Sequence, residues 1–194
     1  MQFYSMENLF QSIRLLQKRL HDAGISSIVI GGVAVAAWGE PRVTRDVDLK
    51  ILLSREDADH LLDILSNDYQ SLISNPHETL HKQALIFVQD MLGTRLDLLL
   101  ADTPYDVTAI QRGRNLEVQP GVVINLCSPE DLIIYKLIST RSRDHEDAKS
   151  VVRRQGKSLD DSYIINWLQQ FEEALDDSTL VAEYKDLRGK YRGD

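Results

Sequence analysis

From Arg42 to Leu53 apolar and polar residues alternate in a single phase. Val47, Leu49, Ile51 and Leu53 fall on one face, and Thr44, Asp46, Asp48 and Lys50 fall on the other. A period of two is the mark of a strand with one face in a core. The continuous apolar face predicts that this strand runs well inside a sheet. Its polar face directs the Asp46 and Asp48 carboxylates the same way. At roughly 7 Å and an effective dielectric of about 20 they repel by about 2 kcal/mol. Folding does not favour that pairing unless something cationic lies between the two. Arg45 and Lys50 could neutralise a solvated face. Alternatively the acids hold a hard divalent cation such as Mg²⁺, which takes one or two carboxylates plus phosphate oxygens.

The flanking chain reads as mixed α/β. Met6, Leu9, Phe10, Ile13, Leu16 and Leu20 recur at helical spacing after a cap at Ser5, and Gly24 ends that helix. Ile25 to Ile30 is a short β-branched strand. Gly31-Gly32 breaks it, and Val33 to Trp38 is a short helix closed by Gly39 and Pro41. Ser54 to Asp57 reads as a capping box before the stripe Ala58, Leu61, Leu62 and Leu65. Residues 67–79 are polar and read as loop. Ala84 to Val88 and Thr94 to Leu100 are strands, followed by a helix from Pro104 to about Gly113 and short strands at Leu116 to Val118 and Val122 to Ile124. Ser128, Pro129, Glu130 and Asp131 form a strong helix start. Helical patterning continues from there, with Trp167 and Phe171 as expected core anchors. The expected organisation is an α/β core over residues 1–125 and a helical subdomain over 126–194 that closes an active-site groove.

Two further features bear on the aspartates. Asp97 stands alone among leucines on a predicted strand, where an acid is either at a solvent-facing strand end or a ligand. If its strand neighbours that of Asp46 and Asp48 in register, three carboxylates converge as a two-metal phosphoryl- or nucleotidyl-transfer site requires. Gly31-Gly32, between strand and helix, lets a backbone approach an anion closely, and a helix N-terminus offers free N–H groups. Cations on one side and that terminus on the other would cradle a triphosphate.

The run GGVAVAAWGEPRVTRDVDL, with Asp97 on a later strand, resembles the DNA-polymerase-β-like nucleotidyltransferase superfamily. Within it the chain looks most like the AbiEii/AbiGii toxin-type nucleotidyltransferases of bacteria. Residues 128–148, SPEDLIIYKLISTRSRDHEDA, are similar to that family as well. The resemblance implies a nucleotidyltransferase-like mixed twisted sheet with flanking helices. It implies transfer of a nucleoside monophosphate from an NTP to an acceptor hydroxyl, with a tRNA end or other RNA as acceptor and a cognate antitoxin as partner. Asp46, Asp48 and Asp97 would be catalytic and would hold two Mg²⁺ ions. Gly31, Gly32, Thr44, Lys136 and Asp147 would bind the nucleotide, with Asp144 competing with Asp147 for the downstream acid position. Most superfamily members carry Gly-Ser where this chain has Gly31-Gly32, so backbone N–H groups or Thr44 would take over the serine's phosphate contact. A nucleotide- or RNA-binding module of the same fold, without catalysis, is the alternative.

The remaining residues read plainly. Lys136, taken without the resemblance, is a solvated helix residue. Arg141, Arg143, Lys149, Arg153, Arg154 and Lys157 form the most basic stretch, either a surface helix with pairs such as Arg143 and Asp147 or a wall for an RNA backbone. His77 and His81, four apart, could ligate zinc on a helix, but Asn75-Pro76 and the want of a third ligand argue against it. The single cysteine, Cys127, excludes an internal disulfide framework and a multi-cysteine zinc site. A net charge of −8 excludes coating nucleic acid by bulk charge. No run approaches the roughly 18 apolar residues of a membrane span, and the N-terminus lacks a secretory pattern; a cytoplasmic protein is expected.

Overall fold

A computed structural model describes residues 6–44 and 46–191. The cap expected at Ser5 and the side chain of Arg45 lie outside the described residues. The elements run α1 (Met6–Asp22), β1 (Ser27–Ile30), α2 (Gly31–Trp38), β2 (Asp46–Ile51), α3 (Ala58–Leu65), β3 (Tyr69–Ser71), α4 (Pro76–Gln83), β4 (Leu85–Asp90), β5 (Arg95–Leu100), α5 (Pro104–Gln111), β6 (Arg114–Gln119), β7 (Val122–Leu126), α6 (Pro129–Leu137), α7 (Ser142–Gln155), α8 (Asp161–Leu175) and α9 (Leu180–Tyr191). The chain forms two compact units. One comprises residues 1–33 and 43–127, and the other residues 34–42 and 128–194.

The first unit is built on a mixed sheet in the order β3-β4-β5-β2-β1-β7-β6. β2 sits at its centre, antiparallel to β1 and parallel to β5. The alternation predicted for this strand is realised. Val47, Leu49 and Ile51 are fully buried, and so are Leu96 and Leu98 beside them on β5. A slip of one residue would push Asp46, Asp48 and Lys50 into that core, so the pattern pins the register. α1 packs on β1 and β7; its Ile13, Leu16 and Leu20 are fully buried, while Met6 is exposed. Gly24, at φ +77°, turns the chain out of α1.

Residues 67–79 are not all loop. β3 pairs with β4 at the sheet edge, and α4 begins at Pro76. Only Leu80 of α4 is buried, so the helix carries no apolar stripe for a sequence reading to find. The expected capping box is present as a turn: Ser54 donates to Asp57 at 2.9 Å and accepts from its backbone N–H at 3.3 Å, ahead of α3.

The second unit is helical. Ser128 caps α6 by accepting from the Asp131 backbone N–H at 3.1 Å, with Pro129 in the first turn, as the sequence predicts. α6 packs on α7 and α8, and α9 packs on α7 and α8. The core of α8 is Ile164 and Leu168. Trp167 and Phe171 are half-buried, with ring centroids 6.4 Å apart, so they flank this core rather than anchor it. Residues 34–42 belong to this unit: Gln155 donates to the Trp38 carbonyl at 2.7 Å and Arg154 to that of Gly39 at 2.5 Å. Among the described residues no helix is long and apolar enough to cross a membrane.

Candidate active site

The parallel pairing of β2 with β5 sets Asp48 opposite Asp97 and Asp46 opposite Arg95. Paired residues of neighbouring strands project to the same face. Asp46, Asp48, Arg95 and Asp97 therefore share the polar face of the sheet centre, over a buried layer of Val47, Leu49, Leu96 and Leu98. Asp46 is exposed; Asp48 and Asp97 are half-buried.

Among the described residues, Arg95 is a cation set among these acids. Its guanidinium forks onto Asp97 at 2.8 and 3.1 Å and lies 4.8 Å from the centroid of the Phe87 ring. The hydrogen bond to Asp97 raises its pKa, against burial, and the charges of Asp97, Asp46 and Asp48 raise it further. Sequence reading looked to Lys50 and Arg45 for neutralisation. Lys50 instead pairs with buried Asp106 at 2.9 Å. The signal for Arg95 was available: it lies two residues before Asp97 on a strand, and hence on the same face.

Gly31 follows the β1 residue that pairs with Asp48. It adopts φ +63°, and a Cβ built there would fall 2.0 Å from Asp48 Oδ2. The glycine thus makes room for a carboxylate at the start of α2, where backbone N–H groups and the positive helix end favour negative charge. Gly32 is the next residue of α2. The Thr44 hydroxyl donates to the Asp46 carbonyl at 3.0 Å, holding the chain as it enters β2.

Lys136 and Asp147 lie in the second unit, in a charged cluster with Asp144 and Arg42. Lys136 is 6% exposed, so the solvated-face reading is overturned. Its ammonium contacts Asp144 closely and Asp147 at 3.1 Å. Both candidate downstream acids therefore meet the same lysine. Arg42 forks onto Asp147 at 3.0 and 3.1 Å, which takes up the carboxylate that i,i+4 spacing would assign to Arg143. Asp144 also accepts from Ser139 at 2.6 Å and Arg141 at 2.7 Å. Burial works against ionising Asp144, yet Lys136 and Ser139 hold its pKa below the usual carboxylate range. Nothing in the sequence announces Arg42, which is 105 positions from its partner.

Residues 9–183 match the family described as "Nucleotidyl transferase of unknown function (DUF2204)". No curated protein matches the chain. Among solved structures, an antigenic nucleotidyltransferase-like protein from Paracoccidioides brasiliensis is 20% identical, with a TM-score of 0.53 over 76% of this chain and 75% of that one. The antibiotic-resistance factor ANT(2'')-Ia is 14% identical, with a TM-score of 0.54 over 88% and 95%. The lincosamide antibiotic adenylyltransferase LnuA is 13% identical, with a TM-score of 0.50 over 76% and 96%. These likenesses establish a nucleotidyltransferase fold.

Proposed function

The chain belongs to the DUF2204 family of nucleotidyl transferases, and from that premise we propose that it moves a nucleoside monophosphate from a nucleoside triphosphate to an acceptor hydroxyl. The observation that carries this reading is the in-register pairing of Asp48 with Asp97, with Asp46 two residues along the same face. Three carboxylates give an all-oxygen donor set, which suits a hard divalent cation such as Mg²⁺. Asp46 and Asp48 are the proposed ligands of two such ions, and Asp97 of one. When bound, these ions supply charge stabilisation at phosphoryl oxygens and make a hydroxyl easier to ionise.

The remaining roles belong to side chains and backbone of this protein. The acceptor oxygen bonds to the α-phosphorus as the bond to pyrophosphate breaks, and Asp97 takes the acceptor's proton. Backbone N–H groups at Gly31 and Gly32 receive phosphate oxygens, joined by the Thr44 hydroxyl if it turns from the Asp46 carbonyl. The resemblance assigns phosphate neutralisation to Lys136 with Asp147; within the second unit the Lys136 ammonium is paired with Asp144 and Asp147, and the proposed role requires its release from them. The likeness to the AbiEii/AbiGii type supports an RNA acceptor, a tRNA end among them, together with a toxin-like role and an antitoxin partner. Two of the similar folds belong to a lincosamide adenylyltransferase and an antibiotic-resistance factor, so small hydroxylated acceptors are the competing class.

The test is to incubate the protein with each of the four labelled NTPs and Mg²⁺, against total RNA, total protein and a panel of small hydroxylated compounds. Label should enter one acceptor class with release of pyrophosphate. Asp46→Ala and Asp48→Ala should each abolish labelling while the circular dichroism spectrum stays that of the parent. A double variant that still labels its acceptor overturns the assignment.

A further inference from the structure

Away from the acidic face, the first unit brings Asp59, His77 and His81 together. Asn75 caps α4 by accepting from the Glu78 backbone N–H, and Pro76 occupies the first turn. The Asn75-Pro76 pair is therefore a helix start, and the two histidines lie one turn apart on one face of α4. Their ring centroids are 4.5 Å apart. The third ligand missing from the sequence comes from α3. Asp59 Oδ1 lies 2.9 Å from His77 Nε2 and 3.2 Å from His81 Nε2. One ligand atom from each of the three side chains lies within 4.8 Å of the others.

Both imidazoles aim Nε2 at the same carboxylate oxygen of Asp59. Two nitrogens and an oxygen this close together can fill three of the four positions of a tetrahedral shell. We propose that Asp59, His77 and His81 form a Zn²⁺ site that clips α3 to α4. Imidazole nitrogen with one carboxylate suits zinc and its first-row neighbours, and two nitrogen donors disfavour Mg²⁺. This sets the site apart chemically from the all-oxygen face of Asp46, Asp48 and Asp97. The side chains of His77 and His81 are 61% and 33% exposed, which leaves space for a water in the fourth position. The clip has a purpose in the fold. α4 is eight residues long with one buried side chain, too little to be stable alone, and a metal bound only by the folded arrangement adds its binding energy to folding.

The experiment uses the untagged full-length protein, stripped with a chelator and titrated with Co²⁺, then with Zn²⁺. One equivalent of Co²⁺ should give the visible bands of four-coordinate cobalt. Zn²⁺ should displace it with a micromolar or tighter dissociation constant and raise the melting temperature. Asp59→Asn, His77→Gln and His81→Gln should each weaken binding by at least about tenfold, with unchanged circular dichroism. His60→Gln, also on α3 but outside the cluster, should bind as the parent does. Asp48→Ala should retain the zinc site, so the outcome stands apart from that of the proposed transferase reaction. No cobalt bands and no zinc-dependent melting shift, or binding that survives the His77→Gln/His81→Gln double substitution, overturns the proposal.

Discussion

Arg95 answers, with one side chain, the problem that three neighbouring carboxylates pose. Like charges on adjacent strands repel, and a guanidinium forked onto Asp97 within the field of Asp46 and Asp48 offsets that repulsion before any metal arrives. The same contact occupies an acid proposed as a metal ligand, so Arg95 and the cation compete. Arg95→Gln should tighten Mn²⁺ binding to the free protein by about tenfold, equivalent to about 1.4 kcal/mol, as read by calorimetry. It should also lower the melting temperature without metal and let Mn²⁺ restore it. Unchanged or weaker Mn²⁺ binding rules out competition. Gly31 poses a second residue-scale test. Gly31→Ala meets both a left-handed φ of +63° and the Asp48 carboxylate. The backbone alone costs about 1–2 kcal/mol, and displacing Asp48 adds to it. In an Asp48→Ala background only the backbone share should remain, so the two substitutions should be non-additive in urea melts. The acids and the glycine were legible in the sequence because a strand's period of two writes a shared face directly into the chain. Arg42 was not, because ion pairs across 105 positions leave no local pattern.

Elements were legible in proportion to the apolar surface they bury. β2 and β5 each place three residues in the core, and their alternation predicted both the strands and the shared polar face. α6 was marked by its serine cap and proline. β3, three residues with none buried, and α4, with one, bury too little to imprint a period, and both were read as loop. Polar clips between helices are equally silent in sequence, and one of them should make stability depend on pH. His145 on α7 contacts Glu183 of α9 at 2.7 Å and the Ser139 carbonyl at 2.6 Å. The hydrogen bond to Glu183 raises its pKa above the ordinary 6.5, with burial opposing and the Ser139 carbonyl adding to the rise. A raised folded-state value means that the imidazolium stabilises the fold. That contribution is fully present below pH 6.5 and is lost as pH rises through the folded value. His145→Gln should therefore lower the urea midpoint most at about pH 6 and least at about pH 8.5. A difference that does not vary across that range would show that the pair carries no linked proton.

At the scale of the whole molecule, the two compact units are not consecutive along the chain. Hydropathy changes from strand alternation to helical patterning near residue 125, because that is where the sheet ends. Compactness follows a different rule. Residues 34–42, far upstream, pack with the C-terminal helices: a Cβ on Gly39 would lie 2.4 Å from the Ser150 hydroxyl and 3.0 Å from a Val151 methyl, and Arg42 neutralises Asp147. The second unit thus needs a segment from within the first hundred residues, and that segment is covalently flanked on both sides by the sheet. Interleaving of this kind ties the folding of each unit to the other through the chain itself, whatever the packing elsewhere. A fragment ending at Cys127 would keep every strand but would leave residues 34–42 without the rest of their unit, Gly39 without Ser150 and Val151 beside it, and Arg42 without its carboxylate. Each uncovered apolar side chain costs about 1 kcal/mol or more of a total stability of about 5–15 kcal/mol. The fragment should unfold in urea with a broad transition and a reduced slope, and it should bind a hydrophobic dye that the full chain excludes. The full-length protein should unfold in one step that is the same by fluorescence and by circular dichroism. A fragment that melts as sharply as the sheet it contains would mean that residues 34–42 are a passive tether, and the two units would then be separable by a single cut.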